Sequence, residues 1–123
     1  MTGTPAVFVI DDEEPVRLSL AKLLRAMGYQ SRVFPSAAAY LESDALGEGG
    51  CLLLDLRMPG MSGVDLIEEL DRRRLSVPTI VMTGQTDMKS VQRLDMFPLL
   101  GFLEKPFSVE QLRELLDRWH APS

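Results

Sequence analysis

The sequence is poor in the residues that most often announce chemistry. Its 123 residues include one cysteine, Cys51, and one histidine, His120. A single cysteine excludes a disulfide framework and a cysteine-built metal site. Cys51 adjoins an apolar run and reads as a small core residue. Long hydrophobic runs are also missing. The one nearest the N-terminus, Ala6 to Ile10, is too short for a signal peptide, and no segment is long enough to span a bilayer. The expected setting is therefore a reducing cytoplasm, with no membrane partner. Basic charge is scarce, the net charge being −5. The one basic run, Arg72-Arg73-Arg74, ends a helix pattern, where it complements the helix dipole, so no nucleic-acid footprint is expected over this segment. Neither a dinucleotide-binding glycine fingerprint after the first strand nor a P-loop is present, and there is no internal repeat.

What is present is an alternation of apolar runs and one-sided helical patterns in a chain whose length fits one domain, residues 1–123. Ala6 to Ile10 reads as a buried strand ending in Asp11-Asp12-Glu13-Glu14. Pro15 suits the first turn of a helix from Glu14 to Met27, whose stripe is Val16, Leu20, Leu23, Leu24 and Met27, with Gly28 as the stop. Tyr29 to Phe34 reads as an edge strand, and Ala37 to Ser43 as a short helix capped by Ser36. A Gly-rich turn leads to Cys51-Leu52-Leu53-Leu54-Asp55, a strand with no polar alternation and so buried on both faces. A Gly- and Pro-rich loop follows, then a helix from about Val64 to Arg74 with Val64, Ile67 and Leu70 inward. Val77 to Met82 is predicted as the fourth strand, with Pro78 at its entry and Thr83 to Thr86 as a loop. A helix is predicted from about Asp87 to Met96, a strand from Gly101 to Glu104, and a last helix to about Trp119. Ser108 to Gln111 forms the capping box of that last helix, and Val109, Leu112, Leu115, Leu116 and Trp119 share one of its faces.

Five strand–helix alternations predict an α/β fold, a doubly wound five-stranded parallel sheet with helices on both faces. The flavodoxin-like order 2-1-3-4-5 places a switch point between the first and third strands. With that topology the strand ends deliver Asp11 and Asp12, Asp55, Thr83 and Lys105 to one edge. Three carboxylates there repel; at ~4 Å and an effective dielectric near 20, each pair costs roughly 4 kcal/mol. Such a cluster protonates, pairs with Lys105 or binds a cation, and an all-oxygen donor set suits Mg²⁺, with Mn²⁺ or Ca²⁺ next. Mg²⁺ keeps waters and phosphate oxygens, so the cleft invites a phosphoryl group. Asp55, alone at the end of the middle strand, is the natural nucleophile, Asp12 the natural metal ligand, and Lys105 and Thr83 the electrostatic partners. Taken one at a time, each residue has an ordinary reading: a helix N-terminal charge, a turn hydroxyl, a solvated lysine. Their joint occurrence at successive strand ends is what those readings do not predict.

These residues resemble the receiver domain of two-component response regulators over nearly the whole chain, Ala6 to about Trp119. The resemblance rests on Asp11-Asp12, on Asp55 followed by Leu56-Arg57-Met58-Pro59-Gly60-Met61-Ser62-Gly63, on Thr83-Gly84, and on Lys105-Pro106-Phe107. The loop DLRMPGMSG and the ending FLEKPF look most like the transcriptional subgroup with a C-terminal helix-turn-helix, similar to the nitrogen-fixation regulators. The resemblance implies a receiver fold in which Asp55 accepts phosphate from a sensor histidine kinase. It implies Mg²⁺ held by Asp12, Asp55 and the backbone carbonyl of Arg57, with Asp11 acting through water, and phosphoryl contacts from Thr83 and Lys105. Phe102 matches an aromatic switch that turns inward as Thr83 moves, Lys105–Pro106 a cis bond, and Gln85 a position that tunes loss of the phosphate.

One segment departs from the pattern. Where the subgroup carries an Ala-Gly turn, this chain has Leu94-Asp95-Met96-Phe97-Pro98-Leu99-Leu100-Gly101. Either its apolar residues join the core, or some are exposed as a partner or dimer surface. The leading expectation is a phosphorylation-switched signalling module rather than an enzyme, forming a phosphorylation-dependent homodimer through its fourth helix, fifth strand and fifth helix. Residues 119–123 then begin a linker to an effector domain, through which DNA would be bound. The alternatives are a stand-alone receiver acting through protein partners, a phosphate-independent binding module, and a Mg²⁺-dependent aspartyl-phosphate phosphohydrolase. That last class usually carries an acid/base Asp where this chain has Arg57.

Overall fold

The apolar runs pair side by side. In the computed structural model, which describes residues 5–84 and 87–120, five parallel strands form one sheet. They are β1 (Ala6–Ile10), β2 (Gln30–Phe34), β3 (Cys51–Asp55), β4 (Thr79–Thr83) and β5 (Gly101–Glu104), and the sheet order is β2-β1-β3-β4-β5, as predicted. Between them run α1 (Glu14–Ala26), α2 (Ala37–Leu41), α3 (Gly63–Arg72) and α4 (Met88–Arg93), with α5 (Val109–Trp119) last. Among the described residues, no helix is long and apolar enough to cross a membrane.

Strand alternation divides the core in two. Phe8, Ile10, Leu52, Leu54 and Val81 face one side, where α2 and α3 bring Tyr40, Val64, Leu66, Ile67 and Leu70. Val7, Val9, Cys51, Leu53, Ile80 and Met82 face the other, where α1 and α5 bring Leu20, Leu24, Leu112, Leu115 and Leu116. Every residue of β3 and β4 is buried. The central strands are therefore fixed from both faces, and what they carry at their carboxyl ends is held rigidly.

Several boundaries differ from the predicted ones. Tyr29 is not in β2: its N–H donates to the Leu24 carbonyl (2.9 Å) and closes α1 behind Gly28, whose φ is +96°. Met27 is the C-cap of α1. α2 ends at Leu41, because the Ser43 hydroxyl donates to the Tyr40 carbonyl and turns the chain. α3 starts at Gly63, one residue earlier than predicted, behind a Ser62–Asp65 capping box, and stops at Arg72; Arg74 takes a left-handed φ of 61°. β4 begins at Thr79; Val77 and Pro78 precede it, the Pro78 carbonyl accepting from Leu52 (2.8 Å). Thr83 is accordingly the last strand residue, not the first of the loop. α4 stops at Arg93, three residues short, and continues as tight turns, Leu94 to Val91 and Phe97 to Leu94. Phe97 precedes Pro98, which disfavours helix there.

The departing segment divides between the two readings. Phe97 and Leu99 pack against one half of the core and Leu100 against the other, whereas Met96 is 82% exposed. Val109, predicted on the inner face of α5, is exposed; it is the first residue of the helix, and the buried stripe begins one turn later at Leu112. Arg72 and Arg73 both ion-pair with Glu69 at the exposed end of α3. The Gln85 position and residues 121–123 of the predicted linker lie outside the described residues.

Candidate functional site

Parallel strands end on one edge, so the residue after each apolar run arrives beside its neighbours. Asp11 follows β1, Asp55 ends β3, Thr83 ends β4 and Lys105 follows β5. One ligand oxygen from each of Asp11, Asp12 and Asp55 lies within 4.8 Å of the others. Lys105 Nζ sits 3.1 Å from Asp11 Oδ2 and 3.5 Å from Asp55 Oδ2. Its own N–H donates to the Thr83 carbonyl (2.8 Å), which ties the lysine backbone to the end of β4, and the Lys105–Pro106 bond is cis. The five residues are thus neighbours: Asp11, Asp55 and Thr83 buried, Asp12 exposed, Lys105 half-buried.

Two of the three acids, Asp11 and Asp55, are held by backbone donors. Asp11 Oδ1 accepts from the Glu13 N–H (2.9 Å), and the Asp11 carbonyl accepts from Arg17 Nη1 (2.7 Å). Asp55 Oδ1 accepts from the Arg57 N–H (3.2 Å). The loop after Asp55 is folded back hard: a Cβ on Gly63 would stand 2.5 Å from the Asp55 carbonyl oxygen and 2.8 Å from Leu56 Cα. Only glycine allows α3 to start that close to the strand end.

The electrostatics are unbalanced. Burial pushes the Asp55 carboxyl up to about 6; Lys105 pulls it down, and Asp11 pushes it up again. Burial alone would lower the Lys105 ammonium, yet its hydrogen bond to Asp11 and the charges of Asp55 and Asp11 leave it above the ordinary lysine value. One ammonium faces three carboxylates, so the pocket retains negative charge and open oxygen donors. That donor set, free of His and Cys, fits a hard divalent cation such as Mg²⁺. Among the described residues, Asp11, Asp12 and Asp55 are the side chains grouped so that they could hold it.

Two further residues border the site and were not singled out from the sequence. Asp87 is 3% exposed; its Oδ1 lies 2.7 Å from Arg57 Nε, and its Oδ2 accepts from the Gly84 N–H at 2.6 Å. In sequence it marked only the start of a helix. Arg17 carries a faint signal: a cation at the fourth position of a helix opposes the dipole, which hints at a partner beyond the helix. Phe102, on β5, is 44% exposed.

A family model described as response regulator receiver domain matches residues 7–117. The transcriptional regulatory protein FixJ of Rhizobium meliloti (strain 1021) is 38% identical over 112 residues, 91% of this chain and 55% of that protein. FixJ of Azorhizobium caulinodans is 43% identical over 101 residues, 82% of this chain and 48% of that protein. The chain thus spans about half the length of these relatives. A crystal structure of FixJ-N superposes with a TM-score of 0.86 at 35% identity, covering 99% of both chains.

Proposed function

The chain belongs to the response regulator receiver family, and on that premise we propose that Asp55 accepts a phosphoryl group from a sensor histidine kinase. The observation that carries this reading is the position of Asp55: a strand-end carboxylate beside Asp11, Asp12 and the Lys105 ammonium. An Asp55 oxygen attacks phosphorus. A P–O bond forms as the P–N bond of the phosphohistidine breaks, and the electron pair leaves with the imidazole nitrogen. Burial raises the proton affinity of Asp55, which also makes it a better nucleophile once charged. Lys105 holds one phosphoryl oxygen, and the Thr83 hydroxyl holds another. Mg²⁺, or Mn²⁺ with the same donor preference, would be held by Asp12, Asp55 and the Arg57 carbonyl, with Asp11 through water, and would offset the charge of the transferring group.

The product is a switch. Recruitment of Thr83 toward the phosphoryl group draws Phe102 inward and reshapes the α4–β5–α5 surface, which then favours a homodimer. The setting is the cytoplasm. Residues 1–123 act as one receiver, with 119–123 opening a linker to an effector domain that binds DNA and regulates transcription. The resemblance to FixJ supports this output, and the net charge of −5 argues against DNA contact by the receiver itself. Incubation with labelled acetyl phosphate and Mg²⁺ tests the chemistry. The wild-type chain takes up label, chelation with EDTA stops uptake, and Asp55→Asn takes up none. Undiminished labelling of Asp55→Asn would refute the assignment.

A further inference from the structure

Arg57 makes two ties that point in different directions. Its main-chain N–H donates to Asp55 Oδ1, while its side chain, 70% exposed, reaches across to Asp87 at 2.7 Å. Asp87 is 3% exposed, and a buried carboxylate is costly unless it is paired. Asp87 has two partners, one on each oxygen: the Arg57 guanidinium, and the N–H of Gly84, the residue after Thr83. The backbone completes the circuit, since Leu56 N–H donates to the Met82 carbonyl (3.2 Å) and Asp55 pairs in register with Met82. A closed ring of bonds thus runs Asp55, Arg57, Asp87, Gly84, Thr83, Met82 and back. Its charge-assisted members are the strongest of such contacts.

We propose that the Arg57–Asp87 ion pair is a positioning latch that fixes the distance between the two loops flanking the phosphoryl site. One loop carries the Arg57 carbonyl; the other leaves β4 at Gly84, directly after Thr83. Neither Asp87 nor the Arg57 guanidinium touches the reacting atoms. They act by holding the main chain of residues that do, as outer partners hold the ligands of a metal. The inference rests on the receiver reading for what the site binds, but the latch itself is a property of the free chain.

The test uses ¹⁵N-labelled chain as wild type, Arg57→Gln, Asp87→Asn, the double variant and Arg57→Lys. Asp87→Asn keeps an oxygen for the Gly84 N–H and removes only the charge. Arg57→Gln changes an exposed side chain and leaves the fold intact. Without metal, exchange of the Gly84 amide proton rises about tenfold in either single variant. The Kd for Mg²⁺, read from amide shifts, also rises by about tenfold. The double variant is no worse than the worse single, since both remove one interaction. Arg57→Lys, which keeps a cation in reach, recovers most of both effects. Unchanged Gly84 exchange in Arg57→Gln overturns the latch, as does multiplication of the two effects in the double variant. A wild-type chain indifferent to Mg²⁺ would sink the receiver chemistry instead, while the exchange data would still judge the latch.

Discussion

Cys51 and Asp55 lie at opposite ends of β3, and burial treats their ionisation alike while their surroundings do not. Burial pushes the Cys51 thiol up to about 12 with nothing nearby to offset it. Asp55 rises only to about 6, because Lys105 stands 3.5 Å away. The thiol is thus inert and the carboxylate usable. For Cys51 the consequence is a pH dependence of stability. The folded chain keeps the proton that the unfolded chain loses near 9, so stability falls as pH climbs from about 9 toward 12. Cys51→Ala lacks that loss. Urea unfolding at rising alkaline pH should show the wild-type midpoint dropping relative to the variant. Parallel curves would mean the thiol is not buried in the way described. Both residues were legible in the sequence, since a lone Cys and a lone Asp closing a wholly apolar run admit few roles. Asp87 was not, because its partners Arg57 and Gly84 lie 30 residues before it and one short turn back, and loop paths are not written in hydrophobic period.

Helix ends show how residue chemistry becomes element geometry. α5 and α3 begin at capping boxes, Ser108 with Gln111 and Ser62 with Asp65. The first was legible as a capping pattern. The second was hidden inside the glycine-rich loop. The C-terminus of α3 is less favourable. Arg74 closes it with φ 61°, its N–H donating to the Asp71 carbonyl and the Leu75 N–H to Leu70. That left-handed position suits glycine. Sequence pattern carried the helix through Arg74 because arginine is a good helix former and carries no mark of the turn. Arg74→Gly relieves the conformation, and the extra freedom of glycine in the unfolded chain offsets part of the gain. The expected result is stabilisation by about 0.5–1 kcal/mol. A higher urea midpoint at unchanged slope would show it, and a lower midpoint would contradict it. α4 was over-extended for a related reason: helical spacing persists to Met96, but Pro98 constrains Phe97, and the chain tightens into turns before reaching it.

At the scale of the whole molecule, the site is a consequence of topology that also works against the fold. The sheet order follows from the alternation of runs and from right-handed crossovers, which is why it was legible without any contact being known. That order gathers strand ends, and so gathers three carboxylates within 4.8 Å with a single lysine between them. Two cores on either side hold β1, β3 and β4, so the buried acids Asp11 and Asp55 have little room to move apart. Burial first, and the charge of Asp11 after it, push the Asp55 carboxyl up against the pull of Lys105, so its charged form is disfavoured in the folded, metal-free chain. Near neutral pH in EDTA, Asp55→Asn should therefore melt higher than wild type, by about 1–2 kcal/mol in stability. Mg²⁺ should reverse the ranking. At about one hundred times its Kd it adds about 2.7 kcal/mol to the wild type, and much less to a variant that has lost a donor and a charge. Thermal melts of both chains with EDTA and with Mg²⁺ decide the matter. A variant that melts below wild type in EDTA would show that Lys105 already balances the acids, and that the pocket has no standing need for a cation.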